Sequence, residues 1–273
     1  MSFFKSAIEW LATTTDNVPP SFGLHHLLYV MLFVVGTFLL CHFFKDSSDK
    51  TMRKISLIAW IFLVLLEIGN QLVFTADAGW SYRWNYFPFQ LCSTPLYVLP
   101  FIAFMKNSKL RDAMMAFMST FAFFGGLVVF IYPNDVFCNL VFVNHKTMLH
   151  HGLQLLMGVF YFVYNRKKVD LKYFVRAICV FAVLSAIAIL INEIGYATIV
   201  KNDPDQTINM FYFSRFYKNH LPILAPISEA VHPLLFIAIY LVGFTGVGLL
   251  IQYMMIGIYK LAKKLTPAKN DKA

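Results

Sequence analysis

Phe-Pro-Phe-Gln-Leu-Cys-Ser-Thr-Pro-Leu-Tyr-Val-Leu-Pro-Phe, residues 87–101, is apolar enough to lie in a membrane. Yet it carries three prolines, Gln90, Ser93, Thr94 and, just inside one end, the thiol of Cys92. Each internal proline removes a main-chain hydrogen bond and bends the helix, which lipid tolerates only where neighbouring protein satisfies the freed carbonyl. A helix that serves only to span has no use for these features. The segment is therefore expected to line an interior cavity, with Cys92 as its most reactive group.

The rest of the composition fits that reading. Of 273 residues, 59% are hydrophobic, 17% aromatic and only 14% charged, with a mean hydropathy of +0.63. Soluble domains are closer to about a quarter charged, so the chain reads as an all-α polytopic membrane protein. The net charge of +9 comes from basic residues in short loops between apolar runs. That is an orientation signal and not a nucleic-acid-binding face. Cys41, Cys92, Cys138 and Cys179 show no CxxC spacing, so neither a disulfide framework nor a zinc site is indicated. The first twenty residues hold Glu9, Asp16 and two prolines, without the basic start and apolar core of a cleavable signal peptide.

About twenty mainly apolar residues cross the hydrocarbon core, and seven runs qualify: 24–44, 54–75, 88–105, 110–132, 145–164, 171–195 and 227–259. The expected architecture is one integral membrane domain of about seven transmembrane helices, with six the alternative. Residues 1–23 form a surface segment, 24–259 the helical bundle and 260–273 a basic tail. The third run is short and broken by proline; the seventh is long enough to tilt or to begin with an interfacial turn. Lysines and arginines gather in alternate connections, around 45–54, 106–111, 166–172 and 260–272. These are expected to be cytoplasmic, which puts the N-terminus outside and the C-terminus inside a multi-pass protein of the plasma membrane.

With this topology, most polar side chains in the spans fall in the outer half. His25 and His26 open the first span; Glu67, Asn70 and Gln71 close the second. Cys92 and the pair His150 and His151 both lie roughly 6–9 Å below the outer boundary at about 1.5 Å per residue. Ionisable groups at membrane depth are costly unless they face one another or a wet cavity, so a cluster at one depth implies a shared pocket. A cysteine nucleophile works as thiolate and needs a base within reach, usually histidine. His150 and His151 are adjacent and point about 100° apart, so one would act and the other orient. Which is the base stays open, beside the blander reading of a small buried cysteine and a histidine satisfied by a main-chain carbonyl.

Glu67 and Asn70 share a face and would orient an imidazole or bind a cationic headgroup. The alternative is a helix-to-helix hydrogen bond. Asn192 and Glu193 read as a solvated helix end. The aromatics at 80–86 and 211–217 read first as an interfacial belt. Asn209 and Arg215 among them would cap the pocket and hold a phosphate, which arginine does bidentately.

At Phe-Pro-Phe-Gln-Leu-Cys the chain resembles the YwaF-like integral membrane family of transmembrane protein 164-like acyltransferases. That family has a Leu-Pro-Leu-His-Leu-Cys type segment and a Gly-rich span ending in proline, here Gly125, Gly126 and Pro133. It also has a later His-bearing span, here Leu149-His150-His151-Gly152, and an Asn-aromatic stretch, here Asn209-Met210-Phe211-Tyr212-Phe213. Two departures stand out: Gln90 replaces the usual histidine before the cysteine, and two histidines compete for the place of one.

The resemblance implies a membrane phospholipid acyltransferase working through an acyl-cysteine on Cys92, with His150 or His151 as partner. Gln90, Glu67, Asn70, Asn209 and Arg215 would then bind substrate, and Gln90, Ser93 or Asn209 would supply an oxyanion donor. The alternatives are a membrane lipid-ester hydrolase and a non-enzymatic transporter or binding protein. The second has no internal duplication to support it. A metal or haem protein would use His25, His26, His150, His151 and His232, but no HExxH or CxxC spacing is present. No metal, no cofactor and no nucleic acid is expected, and the expected partners are lipid and membrane.

Overall fold

The structure is a computed structural model that describes residues 3–134, 136–219 and 221–265. All its regular elements are helical: α1 (Phe3–Leu11), α2 (Leu24–Phe44), α3 (Asp49–Asp77), α4 (Pro95–Phe104), α5 (Lys109–Phe117), α6 (Phe123–Ile131), α7 (Val141–Tyr164), α8 (Leu171–Gly195), α9 (Leu224–Ala230) and α10 (Pro233–Leu265). Five stretches are long and apolar enough to cross a membrane: α2, α3, Lys109–Ile131, Leu171–Val200 and Pro233–Lys264. The chain is thus an integral membrane protein built as a polytopic helical bundle.

α7 is packed among α2, α3 and α6. Its 24 residues include buried Asn144, His150, His151 and Gln154, so its polar groups face protein and not lipid. Phe117, Phe121, Phe174 and Phe181 stack beside it to form the apolar centre. Between α5 and α6 one turn, Met118–Ala122, widens into a π-helix. Such a turn leaves carbonyls out of the regular ladder.

The third run departs from the expected single broken helix. Residues 88–94 are not α-helical; a 3-10 turn, Leu91–Ser93, leads into α4. Ten residues of helix cover only about 15 Å, half of a bilayer core. Pro95 sits at the start of α4, where the missing N–H has no partner to lose. Pro100 lies inside it and frees the carbonyl of Leu96, which receives Nε1 of Trp60 at 2.9 Å. Likewise the carbonyl of Pro88 receives the hydroxyl of Tyr97 at 2.9 Å. The seventh run also divides: α9 ends at an extended Val231, and α10 restarts at Pro233. The expected basic tail continues α10 to residue 265, and the rest of it lies outside the described residues.

Charge sorts the two ends. At the basic end Ser48, Ser108 and Asp170 cap α3, α5 and α8. Asp49 pairs with Arg111 and Asp46 with Arg166. Asp112 lies 3.4 Å from both Lys168 and Arg176. Arg53 donates to the carbonyls of Ala103 and Phe104 and so closes the end of α4. At the opposite, polar end α1 buries Ile8 while Phe3 and Trp10 stay exposed, the pattern of a helix lying on an interface. Thr14 bridges to Leu140.

Candidate active site

Cys92 sits on the 3-10 turn that opens the third run at the polar end, half-buried between buried Leu91 and Ser93. Gly125 of α6 lies against it: a Cβ there would stand 3.5 Å from Cα and 3.6 Å from the main-chain nitrogen of Cys92. That N–H makes no main-chain hydrogen bond among the described residues. The sulfur of Cys92 is met by its own N–H and by the side chain of Ser93, and the glycine leaves the space beside them unfilled. Gly126, beside it, lets α6 approach α7 so closely that a Cβ would meet the carbonyl oxygen of His151 at 2.8 Å.

His150 is fully enclosed, and its Nε2 lies 2.9 Å from the carbonyl oxygen of Cys92. A carbonyl only accepts, so Nε2 carries the proton, and Nδ1 holds the lone pair. Nδ1 has no partner. His151, by contrast, spends Nδ1 on the carbonyl of Thr147 in its own helix at 2.7 Å. Among the described residues no hydrogen bond joins the sulfur to either ring; contact with the cysteine runs through its carbonyl and belongs to His150.

Two amides complete the surroundings. Gln154, one turn after His150, donates to the carbonyl of Ala122 at 2.6 Å, which is the last residue of the π turn. Gln90 donates to the carbonyl of Asn209 at 2.9 Å. The side-chain oxygens of both are buried without a partner. Nδ1 of His150, Oε1 of Gln154 and Oε1 of Gln90 are all acceptors. What they can receive is a thiol, a hydroxyl or a water.

Glu67 is buried and accepts from Asn70 at 3.3 Å and Gln71 at 2.6 Å, so the expected polar face of α3 is a real cluster. Its strongest partner is Lys146, at 2.8 Å. Lys146 lies inside α7, one turn before His150. Both ion-pair members lie within electrostatic reach of Cys92.

Asn209 joins the site through its main chain, and its side chain accepts from the N–H of Ser214 at 2.9 Å. Arg215 does not reach the site. Glu193 holds it bidentately, both contacts at 2.7 Å, with the two side chains exposed. Asn192, expected to be a solvated end, is instead buried and grips the main chain of Met210 in both directions, at 3.1 and 2.6 Å. This clamp holds Phe211 and Tyr212 in left-handed backbone, φ 56° at each, and presses Phe211 in a stack on Phe89. A left-handed non-glycine residue costs about 1–2 kcal/mol, so the loop over the Cys92 turn is held there by its contacts.

The histidines do not converge. His25 lies near His145, which Tyr29 meets at 2.8 Å. His232 bonds within its own turn. Among the described residues no three His, Cys, Asp or Glu side chains form a metal-ligand set.

A proline-broken span bearing a half-buried cysteine, an enclosed histidine on its carbonyl and a buried ion pair one turn away mark a polytopic membrane protein with a cysteine and a histidine in contact at one end. The family model described as TMEM164 family matches residues 21–256, and the chain belongs to that family. Comparison with curated proteins and with solved structures gave no match.

Proposed function

We propose that the protein is a membrane phospholipid acyltransferase of the plasma membrane, with the polar end outside and the basic end in the cytoplasm. The observation that carries this reading is the contact of His150 with Cys92, with Nδ1 of the ring left as an unpartnered lone pair. Nδ1 would take the thiol proton as the sulfur attacks the carbonyl carbon of an acyl ester. The C–S bond forms, the C–O bond breaks, and the leaving alcohol takes the proton from the imidazolium. The acyl thioester is then attacked by a second lipid alcohol, whose proton returns through the imidazole to the thiolate. The developing oxyanion would be met by the main-chain N–H of Cys92 and by Ser93, which lie against the sulfur of Cys92 and would turn from it to the oxyanion as the C–S bond forms, since Gln90 is committed to Asn209. Glu67 and Asn70 hold Lys146 in place beside the pair.

Water in place of the second alcohol would make the protein a lipid hydrolase, by the same first step. The test is acyl transfer to Cys92 itself. Purified protein given an acyl-labelled phospholipid should gain a hydroxylamine-sensitive label that Cys92→Ala lacks, and lipid remodelling in cells should be lost with it. Full remodelling by Cys92→Ala would reject the assignment.

A further inference from the structure

Arg83 stands apart from the other arginines. Arg53, Arg111, Arg166, Arg176 and Arg215 each donate side-chain hydrogen bonds to protein, whereas among the described residues the guanidinium of Arg83 donates none. It lines a cavity of about 380 Å³ at the polar end, together with Asp77, Asn85, Asp205 and Thr207. Among the described residues their exposed side chains make no hydrogen bond to protein, and no ion pair closes between Arg83 and either carboxylate. The stacked rings of Phe74 and Tyr86, 3.7 Å apart, also line it.

A second cavity of about 310 Å³ is lined mostly by the end of α8 and the turn after it, Ile187 to Ile199 with Ile191 among them. It is closed by the same two chain segments, Trp84 and Phe87 from one and Ile208 and Met210 from the other, and its lining is almost wholly apolar. Neighbouring residues divide between the two: Arg83 and Thr207 line the polar cavity, Trp84 and Ile208 the apolar one, so the two cavities adjoin along these segments. A cavity holding unpaired charges of both signs beside an apolar one suits an amphipathic molecule with a zwitterionic head. The tryptophans and tyrosines at 80–86 mark headgroup depth.

We propose that the two cavities form a binding site for a zwitterionic glycerophospholipid. Arg83 takes the phosphate, Asp77 and Asp205 take the headgroup ammonium, and the apolar cavity takes one acyl chain. This deepens the acyl-transfer reading and rests on it only for the catalytic consequence. Phe87 and Met210 line the apolar cavity, while Gln90 and Asn209, a few residues on and next door, are bonded beside Cys92. Arg215, which the sequence suggests for the phosphate, is occupied by Glu193, and Arg83 replaces it in that part.

The test uses the full chain carrying Cys92→Ala, in micelles, with equilibrium binding of dihexanoyl phosphatidylcholine, dihexanoyl phosphatidylglycerol and glycerophosphocholine. The choline lipid should bind at least tenfold more tightly than the glycerol lipid. Adding Arg83→Gln should weaken it at least tenfold, and adding Asp77→Asn with Asp205→Asn should bring it to the level of the glycerol lipid. Ile191→Trp, which fills the apolar cavity, should weaken the lipid and leave glycerophosphocholine unchanged. Binding by the Arg83→Gln protein within twofold of its parent would overturn the proposal, as would glycerophosphocholine binding as tightly as the lipid. If Arg83→Gln does not fold, the double aspartate variant decides alone. Lipid binding by a protein whose Cys92 never becomes acylated would leave this site standing and refute the acyl-transfer reading.

Discussion

Lys146 and Glu67 form a buried ion pair, 2.8 Å between nitrogen and oxygen, that joins α7 to α3 one turn from His150. Their side chains are only 13% and 9% exposed, so each depends on the other to remain charged. Removing one partner of such a pair typically costs about 3–5 kcal/mol, because the other is stranded, while removing both costs much less. Lys146→Met should lower the unfolding midpoint in detergent strongly, and Lys146→Met with Glu67→Gln should recover most of the loss. Additive losses in the two single variants would show that the residues act independently.

His150 and His151 should separate cleanly in activity. Only His150 contacts Cys92, whereas His151 is bonded within its own helix. A general base contributes about 10²–10⁴-fold. His150→Gln should therefore slow acylation of Cys92 by that factor, and His151→Gln by less than about tenfold on the same scale. A reversed order, read from the rate of thioester formation, would move the base to His151.

Gly125→Ala tests the open space over the N–H of Cys92. The added methyl would lie 3.2 Å from Nε2 of Gln154 and 3.5 Å from Cα of Cys92, a tight but not impossible fit. Stability should fall by less than about 2 kcal/mol, while acylation should fall at least about tenfold, as when an oxyanion donor is obstructed. Gly243→Ala, where nothing lies within 4 Å, should leave activity unchanged and raise helix stability by up to about 1 kcal/mol.

Asp46 gives a pH dependence whose sign is fixed. The hydrogen bond from Arg166 holds its carboxyl below the ordinary aspartate value. A native value below the unfolded one means that the pair stabilises above about pH 4 and that this contribution is lost as pH falls through the native value. The aspartate is 64% exposed, so the effect is small. The midpoint difference between wild type and Asp46→Asn should be present at pH 7 and close below pH ~4. An unchanged difference down to pH ~3 would assign the pair no role.

The apolar runs and the alternation of lysine and arginine carried most of the architecture, because both reflect the lipid solvent, which acts on each segment separately. That Cys92 and His150 lie together is legible for a related reason, whereas their meeting through the cysteine's carbonyl and not its sulfur is not. Equal depth is a one-dimensional quantity. Rotation about a helix axis is not. Whether His150 or His151 turns toward the cysteine depends on how α6 and α7 approach, and Gly126 sets that distance. The pairing of Lys146 with Glu67 is not legible, because a lysine near a span's end looks the same to a charge count whether it faces water or a carboxylate. Asn192 was misread for the same reason, its partner being the main chain of a loop eighteen residues on. The split of the third run into a turn and a ten-residue helix rests on the donors that satisfy its freed carbonyls, and Arg53 and Trp60 among them lie on another helix.

Those donors are arranged along one rod. Arg53, Trp60 and Gln71 of α3 meet the carbonyls of Ala103, Leu96 and Tyr86, so a straight helix splints a fractured one along its whole length. α3 also precedes it in the chain, and its donors are therefore already synthesised when the proline-rich segment emerges. The opposite order would leave bare carbonyls facing hydrocarbon until a partner arrived. The order of the two segments along the chain is thus itself part of how a non-helical stretch comes to rest inside a bilayer.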